Sequence, residues 1–204
     1  MFVLTIDQRG SRRGLDRVPE LLRSLRGVPA ELGFERSVGD ELQGALSDPR
    51  AVVEAALLAL RSGHWYVGVG VGAVDLPLPG TAREASGPAF VAARQAVERA
   101  KKAGERVPLA VTAGSRGADG AASAAEAVLC LIGRLVMDRS TAEWRVLDLL
   151  QPGVRGQQAA VAGVLGISPQ AVSKAVLRSG WQEEHAGRAA SELLLEFAAG
   201  GSLP

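Results

Sequence analysis

Apolar residues in the first half of the chain follow strand and helix periods in turn. Short β-prone apolar runs predict strands at residues 2–6, 33–38, 42–46, 64–71 and 107–112. Between them, apolar residues three or four positions apart predict helices at residues 12–26, 49–61 and 87–103. The first six elements run strand, helix, strand, strand, helix, strand, which is the order of a split βαβ unit. We therefore expect a ferredoxin-like α/β sandwich over residues 1–118, extended by a further helix and strand.

The second half of the chain carries helical patterns only, so the predicted fold class is α+β. Helices are predicted at residues 121–137, 141–150 and 182–197, and Ser140 with Glu143 forms a capping-box pattern before the second of these. The flexible run between Gly114 and Gly120 marks a domain boundary. A helical domain is therefore expected over residues 119–204.

Residues 154–181 predict two short helices joined by a tight turn. Gly166 stands where the first helix must end, and Ser168 followed by Pro169 is a typical start for the second. The second helix is expected to bury Val172. This is the pattern of a helix-turn-helix, whose second helix enters the major groove of DNA. The run QAAVAGVLGISPQAVSKAV closely resembles helix-turn-helix regulators.

The outward face of the second helix is small, polar and basic, which favours DNA binding over an ordinary helical hairpin. Gln170 and Ser173 are predicted to contact base edges, with glutamine favouring adenine. Ser168 is predicted to offer its backbone amide to a phosphate at the helix start. The basic side chains predicted to contact phosphate are those of Arg155, Lys174 and Arg178. This positive patch is too small for tight binding by one copy, so we expect a homodimer on two half-sites of double-stranded DNA.

Composition narrows the setting of this function. The 204 residues carry a net charge of +1, so any contact with DNA must be local. Cys130 is the single cysteine, which excludes an internal disulfide and a thiolate metal site and fits a reduced cytoplasm. The N-terminus lacks a signal-peptide pattern. The apolar stretch at residues 127–137 is too short to cross a membrane and contains Arg134, so no membrane partner is expected.

A possible metal site involves two aspartates of the predicted sheet. Asp7 ends the first strand, and Asp40 lies in the hairpin between the next two, next to Glu41, which is expected in solvent. Neighbouring strands would bring Asp7 and Asp40 close enough to hold Mg²⁺ or Mn²⁺ together with a nucleotide, although no cofactor is required for DNA binding. Both aspartates are also ordinary turn residues, so a purely structural role stays open.

Three segments of the first half resemble class III nucleotide cyclases. FERSVGDELQGAL resembles their Gly-Asp hairpin, VGVGVGAV the following strand, and SGPAFVAAR a later helix that carries a transition-state Asn and Arg. The resemblance implies that Arg94 contacts nucleotide phosphate. Phe90 occupies the position of the Asn, so the catalytic pattern is incomplete.

The chain as a whole resembles the SatD-like bacterial proteins, which share such an N-terminal domain and in some cases carry a C-terminal helix-turn-helix. The resemblance implies architecture more than activity. Our first hypothesis is a transcription regulator whose N-terminal domain dimerises or senses a ligand such as a nucleotide. The alternative is a metal-dependent nucleotidyl-transfer or cyclase enzyme using Asp7 and Asp40 on the metal and Arg94 on the phosphate. A third hypothesis is a partner-binding module that docks through its last helix.

Overall fold

A computed structural model describes residues 1–11 and 14–201, and these residues form an α+β fold around one five-stranded mixed sheet. The strands are β1 (Phe2–Gln8), β2 (Leu32–Arg36), β3 (Glu41–Leu46), β4 (Trp65–Val71) and β5 (Leu109–Ala113). Their order across the sheet is β2-β3-β1-β4-β5. The central strand β1 runs antiparallel to both β3 and β4, and only β5 is parallel to its neighbour β4.

Eight α-helices lie within the described residues. They are α1 (Val18–Leu25), α2 (Pro49–Arg61), α3 (Pro88–Ala100), α4 (Asp119–Asp138), α5 (Thr141–Leu147), α6 (Gln158–Leu165), α7 (Pro169–Arg178) and α8 (Trp181–Ala198). The predicted start of α2 is confirmed, because the Asp48 side chain accepts a hydrogen bond from the Arg50 backbone N–H at 2.9 Å. The predicted capping box of α5 is confirmed as well.

The two faces of the sheet are covered by different helices. Phe2, Leu4 and Ile6 alternate along β1 into the main core, which also holds side chains of α1, α2, α4 and α8. Val3 points to the opposite face, where it packs with Ala93 of α3. The sheet is therefore the middle layer of three.

Glycines in β4 allow α3 to lie directly on the sheet. A methyl group added at Gly68 would collide with the backbone of Val97, and one at Gly70 with the backbone of Ala89 and Ala93. Because backbone atoms cannot move aside as flexible side chains can, only glycine permits this approach.

The C-terminal helices belong to two different cores. Leu129 of α4 and Leu195 of α8 are fully buried in the same hydrophobic cluster as the sheet. In contrast, α5, α6 and α7 pack around a small cluster of their own: Val146, Val161, Ala162 and Val172. The domain division at residue 118 stays a prediction, but side chains on both sides of it share the main core.

The first helix begins later than predicted. The predicted span of residues 12–26 includes Arg12 and Arg13, which lie outside the described residues. The helix itself begins at Val18, where Asp16 Oδ1 accepts the Val18 N–H at 3.0 Å. The Gln8 side chain donates to the Leu15 carbonyl at 2.7 Å, and this hydrogen bond holds the segment before Val18 off the helix. The Leu15 side chain is 74% exposed there.

The prediction that the apolar stretch of the fourth helix is too short to cross a membrane is wrong. The apolar stretch at residues 127–137 is part of a longer helix, because small residues continue it back to Asp119. Within residues 1–11 and 14–201, the helical segment Arg116–Asp138 is long and apolar enough to cross a membrane. Its inner face, with Leu129 and Ile132, is buried in the main core.

Candidate functional site

The α6–α7 pair has a sharp turn fixed by local signals. Gly166 ends α6 in the left-handed conformation, with φ at 66°, and the chain bends by 106° between the two helices. Ser168 then caps α7, because its side chain accepts a hydrogen bond from the Ala171 N–H at 3.2 Å. Pro169 occupies the first turn, where its missing N–H costs nothing.

One face of α7 is buried and the other is open to solvent. Val172 is fully buried against α5 and α6. Gln170, Ser173 and Lys174 are exposed, and Leu177 is 77% exposed. These four residues follow the spacing i, i+3, i+4, i+7, so they form a continuous stripe, which we call the α7 stripe.

The remaining predicted DNA contacts lie around this stripe. Arg178 is exposed one turn beyond Lys174, and Arg155 is exposed in the loop before α6. The Ser168 side-chain oxygen accepts the capping bond, while the predicted phosphate contact of its backbone amide stays a prediction. The Ser173 hydroxyl donates to the Pro169 carbonyl at 3.1 Å. The Ser173 oxygen can therefore still accept a hydrogen bond from a base, but its proton is already used.

Acidic side chains from other helices flank α7, which the sequence did not predict. Glu143 of α5 lines a hollow together with Lys174 and Arg178. The backbone and side chain of Ser140 donate hydrogen bonds that lower the pKa of Glu143, so this carboxylate is charged at neutral pH. Glu183 of α8 lines a second hollow on the other side of α7. The sequence from Gln151 to Gly180 contains no acidic residue, but in the folded protein Glu143 and Glu183 lie beside α7.

A buried arginine fixes the end of α7 to the rest of the protein. Arg139, between α4 and α5, donates from Nε to the Ser179 carbonyl at 2.9 Å. The same guanidinium forms an ion pair of 2.6 Å with Glu184 of α8, and both side chains are only 2% exposed. Arg139 also lies over the Trp144 ring. These contacts hold α7 in a fixed orientation relative to α4 and α8.

The second predicted site lies at the end of β1, on the face covered by α3. Asp7 and Glu41 are direct partners across the β1–β3 pair. Asp40, in the turn before Glu41, is close enough for its charge to act on Asp7. The structure thus brings the two predicted metal ligands into one region and adds Glu41, which is 8% exposed rather than solvated as expected.

Cations from α3 neutralise these carboxylates. Lys101 Nζ lies 2.9 Å from Asp7 Oδ2 and 2.8 Å from Glu98 Oε1. Arg94, the predicted nucleotide contact, lies 2.8 Å from Glu41 Oε1 and keeps more than half of its side chain exposed. Like charges on directly opposed strand residues repel, so the two ion pairs make this arrangement possible.

Burial dominates the titration of the two paired acids. Burial raises the pKa of Asp7, and the contact with Lys101 offsets only part of that effect. Burial likewise raises the pKa of Glu41 against the opposing charge of Arg94. Lys101 has two acidic partners: burial by itself would lower its pKa, but Glu98 and Asp7 together raise it.

The carboxylates form an ion-pair network more than a set of metal ligands. Among the described residues, no group of three His, Cys, Asp or Glu side chains is arranged to hold a metal ion. A divalent ion at Asp7 and Asp40 would depend on substrate phosphates for its remaining ligands and would have to displace Lys101 from Asp7. Lys101 and Glu41 were not among the predicted site residues, because strand pairing and the α3 position decide their contacts.

Comparison with protein-family models, with curated proteins and with solved structures gives no significant match to this chain.

Proposed function

We propose that this chain is a DNA-binding transcription regulator of bacterial, SatD-like type, in which α6 and α7 form a helix-turn-helix. The observation that carries this proposal is the α7 stripe. Its polar and basic side chains are exposed on a short capped helix that α6 crosses at a sharp angle. In a helix-turn-helix, the N-terminal part of the second helix contacts base edges while the first helix crosses the backbone.

The orientation of α7 supports the same function. The contact of Arg139 with the Ser179 carbonyl holds the C-terminal end of α7, and the N-terminal end with Gln170 points away from that anchor. A rigidly held helix keeps its base contacts in register and loses little entropy on binding. In this proposal Gln170 and Ser173 contact base edges, and Lys174 contacts phosphate.

The rest of the chain has a supporting role in this proposal. The order of its elements up to β4 matches a ferredoxin-like sandwich, which would provide the surface for a homodimer in the cytoplasm. Two copies are needed because the basic residues near α7 are few and are bordered by Glu143 and Glu183. A dimer presents two α7 helices to half-sites about 34–36 Å apart, or a multiple of that spacing.

The experiment that tests this function begins with DNA selection. Fragmented genomic DNA is incubated with the purified protein, retained fragments are sequenced, and affinity for the recovered site is measured by fluorescence anisotropy at several salt concentrations. Lys174→Ala is expected to weaken binding to all sequences and to lower the slope of log K against log salt by about 1. Arg26→Ala, which also removes an exposed positive charge, is the control and should leave both quantities unchanged. Equal affinity and slope for Lys174→Ala and the unmodified protein would exclude this docking geometry.

A second candidate function is nucleotide binding or nucleotidyl transfer at the network around Asp7. The observation that favours it is the convergence of Arg94 and Lys101 on the buried Glu41 and the partly buried Asp7, since both cations could take a phosphate in exchange. Incubation with ATP or GTP and Mn²⁺ should then release pyrophosphate, and Arg94→Ala should abolish the release. Absence of pyrophosphate with either nucleotide counts against the enzyme.

A further inference from the structure

A third region, lined by none of the residues of the two sites above, is a groove beside the edge strand β5. It has a volume of about 940 Å³ and lies between the end of α3, β5 and α4. Leu109 and Ala110 form its floor and are almost fully buried, whereas Leu131 on the α4 side is 70% exposed. The volume is at the upper end of the range for small-molecule sites. We call it the β5 groove.

Charges in the β5 groove are concentrated at one end. Arg134 and Arg106 mark that end, because the Arg134 guanidinium donates to the carbonyl of Glu105, the neighbour of Arg106, at 2.9 Å; Lys102 also lines the groove. Arg134 also has a weak pairing with Asp138 at 3.5 Å. Within residues 1–11 and 14–201, Arg106 has no ion pair with a carboxylate, and Lys102 has none within 4 Å although its charge acts on Glu98, so positive charge along the groove is in excess.

The opposite end of the groove is electrically neutral. Arg99 and Glu126 form an ion pair of 2.8 Å there. Glu126 and Arg134 lie eight positions apart in α4, which corresponds to about 12 Å at the rise of an α-helix. The space between them is walled by apolar side chains and by Cys130, a neutral thiol because burial raises its pKa to about 11. The groove therefore has one cationic end and a long apolar section.

A strand from a partner protein would not fit this edge. The Val111 N–H donates to Glu126 Oε2 at 2.7 Å, and the Val111 carbonyl accepts from Arg99 at 3.0 Å. Side chains of the protein thus already satisfy the backbone groups that an added strand would need. The occupant has to recognise charge and apolar surface rather than the strand edge.

We propose that the β5 groove binds an amphipathic organic anion, such as a medium-chain carboxylate. The anionic head lies among Lys102, Arg106 and Arg134, where the guanidinium groups can donate paired hydrogen bonds. The apolar body lies along Leu109 and Leu131 and removes the exposed leucine from water. This site does not depend on the DNA-binding function proposed above.

The test uses the full chain and two probes of opposite charge. The fluorescent anion anilinonaphthalene sulfonate is bound first, and decanoate or decyltrimethylammonium is titrated against it. Decanoate is expected to displace the dye at concentrations at least tenfold lower than the cation. Arg106→Gln should weaken decanoate binding about fivefold, as expected for one partly solvated charge contact, whereas Arg26→Gln should have no effect.

Two further variants test the location of the bound anion. Ala127→Trp fills the groove from an exposed position of α4 and should abolish displacement of the dye by decanoate. Leu131→Glu places an acid beside the apolar body of the ligand and should weaken that displacement. Circular dichroism checks the fold of each variant. If one variant is unfolded, decanoate binding to the other variant tests the location. Unchanged decanoate binding in a folded variant overturns the proposal, as does equal affinity for the cation. Sedimentation of the unmodified protein and of Leu131→Glu tests whether a second copy of the chain occupies the groove instead. The proposal is also overturned if Leu131→Glu disrupts a dimer of the unmodified protein and decanoate does not bind.

Discussion

Glu184 is expected to be among the most sensitive positions of this protein to a small chemical change. Glu184→Gln keeps the shape of the side chain but removes its charge, which leaves Arg139 buried with its partner neutralised. Both side chains are 2% exposed in the ion pair, so water cannot replace the lost charge. Removing one partner of such a pair costs about 3–5 kcal/mol, which is a large part of the roughly 5–15 kcal/mol that stabilises a typical domain.

The two partners of this ion pair are not equivalent. Glu184 has a second cation, Arg188, at 2.5 Å, so it keeps a partner when Arg139 is replaced. Arg139 Nη2 is buried and has no hydrogen-bond partner among the described residues, and Arg139→Met would remove that unsatisfied group. We therefore expect Arg139→Met to destabilise the protein less than Glu184→Gln does.

Urea unfolding followed by circular dichroism measures these differences in the free energy of unfolding. For a protein of this size, the loss predicted for Glu184→Gln corresponds to a decrease of roughly 6–20 °C in Tm. Glu183→Gln, an exposed neighbour on the same helix, is the matched control and should stay within about 0.5 kcal/mol of the unmodified protein. A loss below about 1 kcal/mol for Glu184→Gln, or a larger loss for Arg139→Met, would refute the reasoning.

Three further predictions concern packing, capping and pH. Gly70→Ala should destabilise the protein by about 3 kcal/mol or more in urea unfolding, because the new methyl group meets the α3 backbone, whereas Gly33→Ala meets no atom within 4 Å and serves as the control. Ser140→Ala should cost about 1 kcal/mol in the same assay, since it removes the cap that the Glu143 N–H donates to. Burial opposes the charged form of Glu184, but Arg188 and Arg139 together lower its pKa, so its stabilising effect is present above about pH 4.5 and is lost as the pH falls further. Unfolding free energies of the unmodified protein should therefore decrease more steeply below that pH than those of Glu184→Gln, and parallel curves would contradict this assignment.

Elements fixed by neighbouring residues were predictable from the sequence. The start of α2 at Pro49 after Asp48 and the end of α6 at Gly166 depend on residues within one turn of the chain. The exposed face of α7 was predictable in the same way, because helical spacing alone separates Val172 from Gln170 and Ser173. Capping and amphipathicity act over a few residues, so a linear pattern contains them.

Other features depended on contacts that form only in the folded chain and were not predictable. Helical periodicity alone placed Leu15 in the first helix, but the Gln8 side chain holds the segment around Leu15 off α1. Glu41 was expected in solvent, but strand pairing places it opposite Asp7 and under Arg94. Strand register and helix position decide such contacts, and neither is visible in residue spacing.

The sequence by itself therefore determined the local elements: the caps, the turn between α6 and α7, and the polar outward face of α7. Only the tertiary structure decided which charges meet, including the acids beside α7, the cations on Asp7 and Glu41, and the cationic end of the β5 groove. The physical reason is that burial and Coulomb interactions act through space. They join residues such as Arg139 and Glu184, which are distant along the chain and adjacent only after folding.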